Sequence, residues 1–210
     1  MTETELKEKL ALPELTFREK DHTYWLNGSM IPGVTSLMRP LSDTLYKTVD
    51  QTALQVAADR GSAVHESIEL FHKYGVRDCP EEFAAYFNAY FEWYKAFRVE
   101  VLANEVPVYH KIYRYAGTAD LLCLIRDELW LIDLKTTSQL NHMLTSVQLA
   151  AYNAALASHG VRTAHKGVLL LKKNGKYTFD EARKEDDDEA WTTFGALMTV
   201  HSHIERYKKG

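Results

Sequence analysis

Three ionisable residues stand where apolar ones belong. In GTADLLCLIRDELWLIDLKTTSQL, residues 117–140, Asp120, Asp133 and Lys135 interrupt two runs rich in Leu, Ile and Trp. Such runs normally exclude charge, because a buried unpaired ion loses its hydration. Alternate residues of a strand share a face, so Trp130, Ile132 and Leu134 point one way and Asp133 and Lys135 the other. A hairpin turn at Arg126-Asp127 sets Asp120 opposite Asp133, and a turn at Asp127-Glu128 sets it opposite Lys135. Either register gathers all three charges on one face. Two carboxylates that close need positive charge between them. A hard divalent ion such as Mg²⁺ or Mn²⁺ supplies it, and commonly takes one or two carboxylates plus water and phosphate. Lys135 beside that ion could orient or deprotonate a water and stabilise charge developing on a phosphate. The chemistry this suggests is metal-assisted hydrolysis of a phosphodiester, and the plain alternative is a structural ion pair between Lys135 and one aspartate.

Two further features lie outside that hairpin. Gln148 and Tyr152, in VQLAAYNAAL, are four residues apart on an expected helix from about Ser146 to Ser158 and so share its face. Both side chains are long hydrogen-bonding groups, although a solvated Gln and a Tyr at a core edge would look the same. His65, in RGSAVHESIEL, follows Gly61 by one turn of an amphipathic helix. A lone histidine of this kind is more often a core or surface residue than a ligand.

Around these residues the chain reads as an α/β protein. Tyr24-Trp25-Leu26 runs into Asn27-Gly28, a hairpin-turn dipeptide, and Thr35 or Ser36 is placed to cap the segment after Pro32-Gly33. Residues 50–74 have a helical pattern with Asp50 as N-cap and Gly75 as stop, interrupted at Arg60-Gly61, so two helices or a kinked one are expected. Phe83, Tyr86, Phe87, Tyr90, Phe91, Tyr94 and Phe97 recur at helical spacing and read as a core-facing helix rather than a base-stacking stripe. Strands are expected over 101–109, 112–116, the two runs of the charged hairpin and a pair around Asn174-Gly175, with a closing helix from about Asp187 to Tyr207. The acidic run Lys184 to Ala190 suits that helix's N-terminus. The fold class is thus α/β, a central mixed sheet flanked by helices, with an N-terminal hairpin.

The whole-chain numbers exclude little. The chain has 210 residues, 46% hydrophobic and 26% charged, which suits a globular domain able to bury a substantial core. No apolar run approaches the ~20 residues that span a bilayer, and no membrane partner is expected. The N-terminus reads as neither secretory signal nor transit peptide. Cys79 and Cys123 form no CxxC pair, against a zinc knuckle or a four-cysteine cluster. A net charge of −4 weighs mildly against nucleic acid, but metal-binding carboxylates count as negative while being neutralised by their ions.

Taken together, Asp120, IDLKT with Asp133 and Lys135, Gln148-Leu-Ala-Ala-Tyr152, and His65 within RGSAVHE resemble the PD-(D/E)xK nuclease superfamily. More narrowly, they are similar to its RecB-like branch of phage recombination exonucleases, which also includes the mitochondrial genome maintenance exonuclease. The likeness spans about Asp21 to Tyr152, opening with DHTYWLNGSMIPGVTSLM. It implies a restriction-endonuclease-like core of about 50–207 behind an arm of 1–45, within one nuclease domain of 1–210. It also implies a Mg²⁺- or Mn²⁺-dependent DNA exonuclease of recombination, repair or phage DNA processing, in the cytoplasm of a bacterial or phage-infected cell. His65, Asp120, Asp133 and the Leu134 carbonyl become metal ligands, and Glu105 a candidate ligand of a second ion. Lys135 becomes the catalytic lysine, while Gln148 and Tyr152 support the site and contact DNA. Partners on this reading are DNA, a single-strand annealing or recombination protein, and further copies of the chain. An endonuclease and an inactive DNA-end-binding module remain as alternatives. The chain departs from the family in having Gly117-Thr118-Ala119 in place of the motif's proline and in lacking the cysteine quartet, so no iron–sulfur cluster is expected.

Overall fold

The structure, a computed structural model, describes residues 2–183 and 186–208. Five strands form the main sheet in chain order: β4 (Glu100–Tyr109), β5 (Ala116–Ile125), β6 (Glu128–Lys135), β7 (His165–Leu171) and β8 (Tyr177–Glu181). All neighbours run antiparallel except β6 and β7, which are parallel. That parallel pair requires a crossover, and α5 (His142–Ser158) provides it.

Helices cover both faces. On one side α5, α2 (Val34–Leu45) and α6 (Asp187–Lys208) pack over Leu122, Leu129 and Leu131. On the other, α3 (Gln51–Tyr74) and α4 (Ala84–Ala96) cover Leu121, Trp130, Ile132 and Leu134. The expected aromatic helix is α4, preceded by a 3₁₀ turn over Glu81–Phe83, and Tyr86, Phe87, Tyr90, Phe91 and Trp93 are buried. A smaller antiparallel sheet, β1 (Leu15–Arg18), β2 (Thr23–Leu26) and β3 (Ser29–Ile31), packs on Tyr109 and Ala116. Its β2–β3 turn is the expected Asn27-Gly28, both left-handed. No helix among the described residues is long and apolar enough to cross a membrane.

Several expectations need correction. Of the two readings at Arg60-Gly61, two separate helices are excluded: α3 is one helix of 24 residues, capped as expected by the Asp50 side chain and by Gly75 in the left-handed conformation. A single glycine costs only about 1 kcal/mol in a helix interior, which 24 residues with a packed face absorb. Residues 112–116 are a turn up to the start of β5, because His110 Nδ1 accepts the backbone N–H groups of Ile112 and Tyr113 at 3.2 Å each, an alternative to strand pairing. Neither Thr35 nor Ser36 caps α2; Gly33 is its N-cap, without a side-chain bond. Helix α1 (Glu3–Lys9), with a Thr2/Glu5 capping box, and strand β1 were not expected, yet Leu6 of α1 is fully buried in the main core. The acidic run does supply the first turn of α6 through Asp187, Asp188 and Glu189, while Lys184 and Glu185 lie outside the described residues.

Candidate active site

The β5–β6 hairpin adopts the first of its two possible registers. Ile125 pairs with Glu128, leaving Arg126-Asp127 as a two-residue turn with left-handed φ of 53° and 64°. The same register, continued past Leu121↔Ile132, places Asp120 opposite Asp133. On the other side of β5, the Asn104↔Leu121 and Val106↔Ala119 pairs place Glu105 opposite Asp120. Three acids therefore form a row across adjacent strands.

Pairing of β5 with β6 ends at this row, although β6 continues beside β7 as far as Lys135. The Asp120 side chain bridges the fork, its Oδ2 accepting the Leu134 backbone N–H at 2.7 Å. On the β4 side Glu105 has φ +47°, a rare conformation for a side-chain-bearing residue within a strand. Beside it, Asn104 Nδ2 donates to the Asp120 carbonyl at 2.8 Å, so a side chain serves the backbone where the ladder is disturbed.

Asp133 is the most buried of the acids, its side chain 1% exposed. Lys135 Nζ donates to Asp133 Oδ1 at 2.9 Å and to Gln148 Oε1 at 3.1 Å. Asp133 Oδ2 is 2.8 Å from the same nitrogen but off its hydrogen-bonding directions, so this buried oxygen has an ionic neighbour and no aligned donor. Because an ammonium only donates, it fixes the Gln148 amide with oxygen toward Lys135, and Nε2 then faces the Tyr152 hydroxyl at 3.4 Å. The helical spacing of Gln148 and Tyr152 thus delivers a relay from α5 into the acid row.

His65 arrives from α3. Its Nδ1 is 2.9 Å from Glu105 Oε1 and 3.9 Å from Asp120 Oδ1, while Nε2 donates to the Leu134 carbonyl at 3.2 Å. A ring placed between a carboxylate and a carbonyl donates from both nitrogens, so His65 is an imidazolium. Burial opposes that charge, but Asp120 and then Glu105 outweigh it and lift the pKa to about 9. Burial raises Asp120 and Asp133, with Lys135 pulling against it in both. Burial also works against the Lys135 ammonium, and Asp133 and Asp120 more than restore it.

These residues fit a hard divalent ion. His65, Glu105 and Asp120 offer ligand atoms all within 4.8 Å of one another. Asp133 adds a buried oxygen without an aligned donor, and the acids that hold the His65 imidazolium favour a cation; His65 itself would ligate one only as the neutral ring, releasing a proton as the ion enters.

Some of the site's framework left no trace in sequence reasoning. A Cβ on Gly117 would lie 2.4 Å from Tyr152 Cε1, so only glycine lets that buried ring lie against β5. A Cβ on Gly61 would meet only Thr136 Oγ1, at 3.9 Å, so no neighbouring backbone requires glycine there. Among the basic residues, Arg39, Lys47, Lys111 and Arg114 are exposed. Arg60 is half-buried beside the site, with Nε donating to Thr136 Oγ1 at 3.3 Å and the guanidinium 5.5 Å from the Tyr86 ring.

A mixed sheet flanked by helices, with acids and a lysine meeting where two strands part, defines a class of phosphodiester-cleaving proteins. The chain belongs to the PD-(D/E)XK nuclease superfamily, whose sequence profile matches residues 42–207, and it is accordingly a nuclease. No curated protein sequence matches it. Among solved structures, an alkaline exonuclease from Laribacter hongkongensis, LHK-Exo, is 14% identical over 69% of this chain and 81% of its own, with a TM-score of 0.41. The same enzyme in complex with dAMP is 14% identical over 85% of this chain and 92% of its own, with a TM-score of 0.40. A protein designated SSO0001 is 17% identical over 93% of this chain and 85% of its own, with a TM-score of 0.43.

Proposed function

We propose that this nuclease is a Mg²⁺- or Mn²⁺-dependent DNA exonuclease of recombination, repair or phage DNA processing, with residues 1–210 forming one domain. The observation that carries the reading is the buried Asp133–Lys135 pair, braced by Gln148 at the fork between β5 and β6. Superfamily membership adds the expectation of a divalent ion and a DNA substrate. Exonuclease rather than endonuclease rests on the combination of His65 with Gln148 and Tyr152, which resembles the RecB-like branch.

His65, Glu105, Asp120, Asp133 and the Leu134 carbonyl would hold the metal. When bound, it supplies positive charge against the scissile phosphate and favours deprotonation of water. Lys135, kept as an ammonium by Asp133 and Asp120, orients the attacking water and stabilises charge developing on the phosphate. Gln148 holds Lys135 on its line of approach, and Tyr152 holds Gln148.

The test is digestion of linear and of covalently closed duplex DNA with Mg²⁺, with Mn²⁺ and with EDTA, Asp133→Ala serving as control. Loss of the linear form alone, with metal and only in the wild type, is the expected result. Nicking of closed circles makes the protein an endonuclease instead. Binding of DNA ends without any cleavage makes it an inactive end-binding module.

A further inference from the structure

We propose that the cavity beside Lys135 seats one unpaired nucleobase of the strand being cut. The inference rests on the nuclease reading of the site and specifies its substrate as an unpaired strand end, whether single-stranded or frayed from a duplex.

The cavity, about 220 Å³, lies between α2, the segment after β6, and α5, and both Lys135 and Gln148 line it. Because those two side chains are bonded to each other, the cavity opens on the groups that would meet the scissile phosphate. Its volume is below the ~300–1,000 Å³ of pockets that enclose drug-sized ligands, which leaves room for one ring system and excludes a base pair.

Its walls match a base better than a phosphate. Met38 and Leu144 are buried and Leu140 and Tyr46 half-buried, giving apolar surface and an aromatic ring for a base to pack against. Ser42 and Thr137 also line the cavity; their hydroxyls donate to the Arg39 and Gln139 carbonyls and keep acceptor capacity for the N–H groups of a base. No carboxylate lines it, and Lys135, already engaged by Asp133, is its one cation among the described residues. A phosphate seated deep in this cavity would lack the counter-charge it needs, whereas an uncharged ring would not. A larger cavity of about 570 Å³ between α5 and β8 is edged by Asp180, Glu181 and Asp186 against a single arginine, Arg183, a net negative lining that suits a nucleic acid poorly.

The probe is a single-stranded oligonucleotide with fluorescent 2-aminopurine at its terminal nucleotide, titrated with wild-type protein in EDTA while anisotropy of a remote dye reports binding. The expected result is quenching of the terminal 2-aminopurine, lost in Ser42→Trp, whose indole fills the cavity, and absent when the analogue lies inside a closed duplex. A strand bound without quenching overturns the proposal.

The second arm is kinetic and needs no variant for its first comparison. In Mg²⁺ or Mn²⁺, an abasic terminal residue should slow cleavage by the wild type tenfold or more. Ser42→Trp should slow the ordinary strand to a similar degree without compounding the abasic defect. Equal rates on ordinary and abasic strands, or a variant that slows both substrates alike, also overturn it. These outcomes leave the nuclease reading in place. A wild type that neither binds nor cuts DNA removes that reading, and the base pocket with it.

Discussion

His65 and His72 stand two turns apart on the same face of α3, and their surroundings drive them in opposite directions. Around His65 are Glu105, Asp120 and the Leu134 carbonyl, and the ring is held charged with a pKa of about 9. Around His72 are Phe71, Tyr90 and Tyr94, with Nε2 2.6 Å from the Tyr90 hydroxyl, and burial without a carboxylate lowers the pKa to about 4. One helix thus joins a region where the protein concentrates charge to an aromatic one, where the Arg77 guanidinium lies over the Phe71 and Phe91 rings but no carboxylate supports a charge on His72. The aromatic half obeys the ordinary rule that burial favours neutral groups. The acid row breaks it, and holds together through a lysine and an imidazolium that its own carboxylates keep charged.

Removing a charge from the acid row should therefore produce the largest effects. Lys135→Ala is expected to reduce cleavage of linear DNA by about 10²- to 10⁴-fold, the usual worth of a positioned proton-transfer or charge-stabilising group. It should also lower the melting temperature, because Asp133 is left buried without its ion-pair partner. Retained cleavage would overturn the role given to Lys135. Asp133→Leu combined with Lys135→Met removes both charges at once. This double variant should be inactive, yet melt above Lys135→Ala, since a buried ion pair replaced by apolar residues costs little.

The aromatic half should respond in the opposite way. Trp93 is fully buried against Tyr90, Phe97 and Phe179. Trp93→Ala is expected to cost about 3–5 kcal/mol of stability by denaturant titration, while cleavage per folded molecule stays near that of the wild type. A large loss of rate in the folded variant would show that the two regions are not separable.

The two regions also differed in how far the sequence exposed them. The helix α4 was legible because its aromatic residues repeat at helical spacing, and the acids because charge inside an apolar strand is rare. What stayed hidden depends on contacts distant in sequence. Pro40 sits inside α2, where proline normally ends a helix, yet Val34, Leu37 and Met38 bury against the main core and hold the helix through it. Ile112 and Tyr113 look like strand residues but are exposed, 79% and 54%, because His110 gathers their N–H groups into a turn. Gly117 reads as an ordinary loop or strand glycine until the Tyr152 ring is placed against it. Gly117→Ala is expected to cost about 1–3 kcal/mol by overpacking and to slow cleavage by displacing Tyr152. With Tyr152→Ala in the same chain, that stability cost should disappear. Additive losses would mean the two positions do not meet.

The smallest expected effect is the most direct test of the contrast between the two histidines. Its sign is set by the depressed pKa of His72. An unfolded chain binds a proton at this ring near its ordinary pKa of 6.5, whereas the folded protein resists until about pH 4. The unfolded state therefore binds more protons throughout that window, and stability falls as pH drops through it. The contribution is complete above pH 6.5, and roughly 1 kcal/mol of it, allowing for solvent screening of a partly exposed ring, should be gone by pH 5.5. Urea titrations of the wild type and His72→Phe at pH 7.0 and 5.5 would measure it, because the variant keeps an aromatic ring in place and has no proton to bind. The wild type should lose more stability than the variant between those two values. Equal losses would mean that His72 titrates freely, and the aromatic half would then be open enough to water to tolerate charge.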